Sequence, residues 1–213
     1  MFEISQVISA IEEKRKARSP EQATFVGISG IDASGKGYLT AKLDERLRSA
    51  GWNTAAISAD DWLTLPDVCI DPERPADRFY EAALRCDEMF DQLITPLRRD
   101  RRIDVIANCG DAKTTVHREH RYFFNDIDIV LLEGIFLFKI AYRDQFDLKV
   151  WVDCSFETAL ERAIARGQEG LNPLATRQAF ETIYFPAQRL HFQKDHPRKA
   201  ADHLLRNDRR NAL

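Results

Sequence analysis

The stretch that decides how this chain is read is Gly30-Ile31-Asp32-Ala33-Ser34-Gly35-Lys36-Gly37-Tyr38, GIDASGKGY. Before it runs TFVGIS (24–29), a short apolar segment with the length and β-branched content of a buried strand. After it comes YLTAKLDERLRSAG (38–51), a helical pattern closed by Gly51. A strand, a glycine-containing loop and a helix N-terminus in that order form a phosphate cradle. The glycines let the backbone bend so that successive N–H groups point inward at phosphate oxygens. The helix dipole adds positive potential, and Lys36 supplies a full charge to the β and γ phosphates. The segment Gly30, Ile31, Asp32, Ala33, Ser34, Gly35, Lys36, Gly37 and Tyr38 is therefore the expected nucleotide-phosphate-binding element. The alternative is a glycine turn that merely packs strand against helix.

One position breaks the pattern. A Ser or Thr normally follows the lysine and gives Mg²⁺ one ligand; here it is Gly37. Magnesium keeps several waters and often takes only one or two protein ligands. A water in place of the hydroxyl would weaken the site without abolishing it.

Working outward, short apolar runs alternate with longer helical patterns. Strands are expected at 24–29, 54–58, 128–133, 148–153 and 203–206, and helices at 35–50, 76–100, 155–167 and 174–194. Apolar strands separated by helices imply an α/β fold with a parallel sheet flanked by helices. IDVIANCGDAKTTVHR (103–118) differs, with two β-like pieces around Asn108-Cys109-Gly110-Asp111, and reads as a β-hairpin insertion turning at those residues. The N-terminal segment 1–20 reads as an amphipathic helix with Ile4, Val7, Ile8 and Ile11 on one face. It ends in Lys14, Arg15, Lys16 and Arg18, expected to be a solvated cationic helix end.

At 213 residues one domain spans the chain, with a short lid at about 162–175. Apolar content of 44% and charged content of 31% fit a soluble globular protein. A net charge of −3 gives no reason to expect nucleic acid or a membrane as partner. No apolar run nears the ~20 residues of a membrane span, and the N-terminus has no signal-peptide pattern, so a cytoplasmic location is expected. Cys69, Cys86, Cys109 and Cys154 are far apart and read as isolated buried thiols.

Two further segments end in acids where such a fold places its chemistry, at the carboxyl ends of parallel strands. AAISADDWL brings Asp60 and Asp61 to a strand end, where a carboxylate would accept the proton of an attacking hydroxyl; a capping role for the pair is the alternative. DIVLLEGIFLF brings Glu133 to another, placed to hold Mg²⁺ directly or through water, or simply to face solvent. Arg162 and Arg166 are four apart and share a helix face, so they either neutralise phosphoryl charge or are solvated cations. His117 and His120 lack an obvious third ligand, so a substrate-facing hairpin is preferred over a metal pair.

With these residues in place the chain resembles the uridine kinase and phosphoribulokinase-like P-loop kinases. The resemblance runs from Phe25 to Asp208 through GISGIDASGKG, ISADDWL, VLLEGIFLF, LKVWVDCSFETALERAIARG, YFPAQRLHF and AADHLLRND, in the family's order. It implies Mg²⁺-dependent phosphoryl transfer from ATP to a hydroxyl of a small molecule, with uridine or cytidine as leading acceptor, in a family that forms homo-oligomers. By position, Asp60 matches the catalytic base, Lys36 the loop lysine, Glu133 the acid near the metal, which Asp60 also approaches, and Arg166 a lid arginine. Tyr80-Glu81 lies where uridine kinases carry Phe-Asp against the ribose hydroxyls, and His117 where their base-binding hairpin places a histidine. Three departures stand out: Gly37, a short lid RGQEGLNP (166–173), and a hairpin without its early tyrosine. The first leaves room for a nucleotide-binding regulator with no transfer activity. The others leave room for a sugar or vitamin alcohol as acceptor, and an NTPase coupled to a partner is a third reading.

Overall fold

The computed structural model describes residues 4–69, 71–110, 116–167 and 170–208. The elements in chain order are α1 (Ile4–Ala17), β1 (Thr24–Gly30), α2 (Lys36–Ser49), β2 (Thr54–Ser58), α3 (Pro66–Cys69), α4 (Pro75–Ala82), α5 (Cys86–Met89) and α6 (Thr95–Asp100). There follow β3 (Ile103–Cys109), β4 (Arg118–Phe124), β5 (Ile129–Gly134), β6 (Leu148–Asp153), α7 (Phe156–Arg166), α8 (Pro173–Ala179), α9 (Phe185–Asp195), α10 (Pro197–Ala200) and β7 (His203–Arg206).

The five strands expected from the apolar runs form one parallel sheet in the order β2-β5-β1-β6-β7, and β3 and β4 pair as a separate antiparallel hairpin. Central strands are buried on both faces, which is why they read as unbroken apolar runs rather than as an alternation. Their side chains still divide by twos. Val26, Ile28, Ile129 and Leu131 meet α1 and α2 through Val7, Ile11, Leu39 and Leu43. Phe25, Val130, Leu132 and Trp151 turn to the other face, against Leu93, Leu97, Leu160 and Phe180. β1 lies at the centre with β5 on one side and β6 on the other, so the chain leaves it in both directions. The crevice outside its carboxyl end is the place where such sheets bind ligands.

Several expectations are corrected. The helix expected at 76–100 is broken at Ala83–Arg85, because that backbone bonds elsewhere: the Thr64 amide donates to Ala83 O at 2.9 Å and the Arg85 amide to Trp62 O at 3.0 Å. Two π-helical turns, Phe90–Ile94 and Phe180–Tyr184, interrupt the longer helical runs. Each comes shortly before a proline, Pro96 or Pro186, whose ring would strike the carbonyl four residues back in a regular α-helix. The wider turn relieves that clash.

The hairpin runs further than 103–118. Asn108 and Cys109 lie in its first strand, paired with Glu119 and Arg118, and the second strand continues to Phe124; Asp111 lies outside the described residues. The basic end of α1 is not simply solvated. Arg15 is buried and pairs with Asp128 at 3.0 Å, and Arg18 pairs with Asp147. Asp128 also receives Arg101 at 2.9 Å, and Asp147 receives Arg98 at 3.0 Å. These two acids pin helix and loops to the amino end of the sheet, opposite the crevice. The four cysteines are buried and unbridged. Among the described residues no helix is long and apolar enough to cross a membrane.

Candidate active site

At the carboxyl end of β1 the chain makes a tight loop, Ile31–Gly35, before α2 begins at Lys36. Two residues adopt left-handed backbone there, Ala33 at φ 56° and Gly35 at φ 97°, which turns the peptide planes of the loop inward. Gly30 is required by space. A Cβ at this position would stand 2.6 Å from both Ser34 Oγ and the backbone oxygen of Val152. Two side chains brace the loop at Ser34 O: Asn207 Nδ2 donates at 2.7 Å and the Arg162 guanidinium at 3.4 Å. The Lys36 side chain is buried and its ammonium donates to Ile31 O at 3.0 Å, folding back over the loop.

Next to the loop stand the acids of the neighbouring strands. Register places Ser58 of β2 opposite Glu133 of β5, and Glu133 opposite Ile28 of β1. Ser58 Oγ donates to Glu133 Oε1 at 2.7 Å and accepts the Asp60 amide at 3.3 Å. Asp60 and Asp61 follow on a short 3₁₀ turn, Ala59–Trp62. Asp60 is exposed at the crevice, whereas Asp61 accepts the Tyr122 hydroxyl at 3.2 Å. Burial raises the Glu133 carboxyl above its ordinary range. Lys36 opposes the shift, Asp60 and Asp61 add to it, and the Ser58 hydrogen bond opposes it. Burial also raises Asp32, against Lys36 and a hydrogen bond from Gln188 Nε2 at 3.0 Å.

Four carboxylates thus share one lysine. That excess of negative charge, all of it oxygen, suits a hard divalent cation. Among the described residues no three His, Cys, Asp or Glu side chains close around one point. The donor set therefore fits an ion that draws its remaining ligands from phosphates and water, as Mg²⁺ does in a nucleotide complex. At Gly37 a Cβ would meet nothing closer than Glu133 Oε1, at 3.9 Å.

The other expected residues divide into near and far. His117 is exposed and lies against Gly110, whose amide donates to Asp61 O at 2.9 Å, so it stands on the Asp61 side of the crevice. Tyr122 takes an unexpected place: from the second hairpin strand it packs its ring against Trp62 at 6.2 Å while its hydroxyl reaches Asp61. Arg162 is at the loop, as above. Arg166 ends α7 and is exposed, with Gly167 in left-handed backbone after it. Gln168 and Glu169 of the expected lid lie outside the described residues.

Tyr80 packs among the buried residues of α4, Phe136 and Ala187. It is 8% exposed, and its hydroxyl donates to Asp195 Oδ2 at 2.7 Å. Asp195 also holds His191 Nδ1 at 2.7 Å and the Ile140 amide at 3.0 Å, which ties α4 to α9 and to the segment after β5. A large aromatic at a helix position more often serves the core than a ligand, and this one does. Glu81 is exposed near Arg74, 3.9 Å away. The residues that sequence reasoning missed are Ser58, Tyr122, Gln188 and Asn207. Only Ser58 carried a sequence signal, a hydroxyl two residues before Asp60 at a strand end.

No family model matches the chain. A curated protein, uridine-cytidine kinase B of Dictyostelium discoideum, is 27% identical over 144 residues; the match covers 67% of this chain and 57% of that relative's length. A structure described as a possible uridine kinase from Bacillus stearothermophilus superposes with a TM-score of 0.68 at 20% identity, covering 94% of this chain and 99% of the other. A structure provisionally described as a fructose transport system kinase from a Silicibacter species gives 0.74 at 16% identity, covering 96% and 99%. The shared fold and the distant curated match agree with the strand-loop-helix cradle: the chain has the fold of these P-loop kinases and is similar to the uridine kinase and phosphoribulokinase-like family.

Proposed function

We propose that this protein transfers the γ-phosphoryl group of ATP to a hydroxyl of a small molecule. The observation that carries the reading is the convergence of Lys36, Asp60 and Glu133, which follow or end the three adjacent strands β1, β2 and β5 at one edge of the sheet. Asp60 is the exposed acid of the set and serves as the base that takes the acceptor's proton. Lys36 leaves Ile31 O to meet the β and γ phosphates, and the amides of Gly30–Tyr38 cradle them. Glu133, with Asp60 near it, would hold Mg²⁺, which supplies charge neutralisation across the phosphates. Arg162 braces the loop at Ser34 O, and Arg166 closes over the phosphates from the lid. Little covalent chemistry is asked of the protein, so positioning and electrostatics carry the rate.

On the acceptor side we place Asp60, Asp61 and His117, with Glu81 as a further contact and Tyr80 as the residue that holds its helix in place. A nucleoside such as uridine or cytidine is the leading acceptor, on the strength of the curated relative's activity. A sugar or another alcohol is the second choice, favoured by a hairpin whose tyrosine is tied to Asp61. The reading makes ATP and Mg²⁺ the cofactors and a cytoplasmic enzyme, whose assembly into homo-oligomers follows the family. The non-catalytic alternative draws on Gly37 alone.

The test is ADP release from Mg-ATP across a panel of nucleosides, sugars and vitamin alcohols, with Asp60→Asn beside the wild type. Acceptor-dependent release that is lost in Asp60→Asn supports the kinase. Silence across the panel with ATP still bound supports the regulator.

A further inference from the structure

We infer that Ser58, through its hydroxyl on β2, holds Glu133 in its cation-binding orientation and so offsets the ligand that the phosphate loop lacks at position 37. The inference rests on the kinase reading above and assigns a positioning role, since Ser58 acts through Glu133 and Asp60.

Two positions converge on one carboxylate oxygen. A Cβ built on Gly37 would lie 3.9 Å from Glu133 Oε1 and would have no nearer neighbour. A hydroxyl carried there would lie within reach of the same oxygen. Ser58 Oγ already occupies that partnership, donating to Glu133 Oε1 at 2.7 Å. The hydroxyl also accepts the Asp60 amide at 3.3 Å, which directs its single proton towards Glu133. One side chain therefore couples the two acids that flank the loop. It does so from a rigid place, because β2 and β5 are in parallel register at this point, with Ser58 opposite Glu133. Outer hydrogen bonds of this kind orient carboxylates that meet a cation, and removing one typically weakens metal affinity by about 10–100-fold.

Redundancy is the consequence that can be measured. With a hydroxyl at 58 the chain tolerates glycine at 37. Without it, a hydroxyl at 37 becomes valuable. The probe is Mn²⁺, titrated by electron paramagnetic resonance with a non-hydrolysable ATP analogue present, in wild type, Ser58→Ala, Gly37→Ser and the double variant. Ser58→Ala is expected to weaken Mn²⁺ by about ten-fold while leaving the metal-free affinity for the analogue within about two-fold. Gly37→Ser is expected to recover most of that loss in the Ser58→Ala background and to add little to the wild type. Ser58→Thr keeps the hydroxyl and is expected to bind Mn²⁺ like the wild type, which separates a lost hydrogen bond from a damaged fold. Unchanged Mn²⁺ affinity in Ser58→Ala overturns the inference, as does an equal gain from Gly37→Ser in both backgrounds. A wild type that binds no ATP analogue overturns the kinase reading itself, and the inference falls with it.

Discussion

Replacing Gly30 by alanine tests whether the phosphate loop is held by close packing. The new methyl would stand 2.6 Å from Ser34 Oγ, 2.6 Å from Val152 O and 3.3 Å from Val152 Cβ. Ser34 is fully buried, so its hydroxyl has no open space to rotate into. Val152 O is backbone, fixed by the β1–β6 ladder in which Gly30 faces Val152. The loop must lift by roughly half an ångström, and overpacking of this kind costs about 1–3 kcal/mol. For a chain of this size that lowers the melting midpoint by roughly 2–12 °C, at 2–4 °C per kcal/mol. The same shift misaligns amides meant for phosphate oxygens. Losing one hydrogen bond to a charged group costs about 1.5–3 kcal/mol, or about 10–150-fold in affinity. Gly51→Ala is the control: Gly51 has φ 93° with nothing within 4 Å of its Cβ, so the substitution strains a helix end by about 1–2 kcal/mol away from the loop. Thermal melts and calorimetry with an ATP analogue read both effects. If Gly30→Ala binds the analogue no worse than Gly51→Ala does, the packing argument for the loop is wrong.

Lys36→Met removes the ammonium that now rests on Ile31 O; calorimetry should show ATP-analogue affinity down at least about ten-fold, with the melting midpoint little changed. Tyr80→Phe removes a buried hydroxyl bonded to Asp195 and should cost about 1.5–3 kcal/mol in urea unfolding, with nucleotide affinity unchanged. Burial pushes the Asp195 carboxyl up, but hydrogen bonds from His191, Tyr80 and the Ile140 amide outweigh it and hold the carboxyl at about 2. An unfolded aspartate titrates near 3.9, so this stabilisation is full above about pH 4 and disappears as pH falls through 2; unfolding across that range should show the loss, and Asp195→Asn should flatten it. Tyr122→Phe frees Asp61 from its hydroxyl contact, and steady-state kinetics should show the acceptor KM raised about ten-fold or more with kcat nearly unchanged, since one neutral-to-charged hydrogen bond is worth about 1.5 kcal/mol or more.

What was legible in the sequence was whatever is local. The five sheet strands are continuous apolar runs because both of their faces are covered, and each run carries its own signal. Lys36, Asp60 and Glu133 carry local signals, the glycine-bearing loop before Lys36 and the apolar runs before Asp60 and Glu133. Contacts between distant segments were not legible. Arg15 reads as a solvated cation until the fold brings Asp128 to it, 113 residues away. Ser58 gains its meaning only through the register that sets β2 against β5. Tyr80 carried a family role by position, yet the packing of α4 on α9 gives its hydroxyl to Asp195. Tyr122 stands against Asp61 only because the hairpin pairs its second strand beside the first.

The most direct test of the account follows the γ-phosphate itself. ATP labelled in that group is incubated with Mg²⁺, the acceptor panel and either the wild type or Asp60→Asn, and the label is traced among ATP, free phosphate and acceptors. Label moving into one acceptor class with the wild type, and staying in ATP with Asp60→Asn, is the predicted result. Label that moves only into free phosphate, or never leaves ATP, would contradict it.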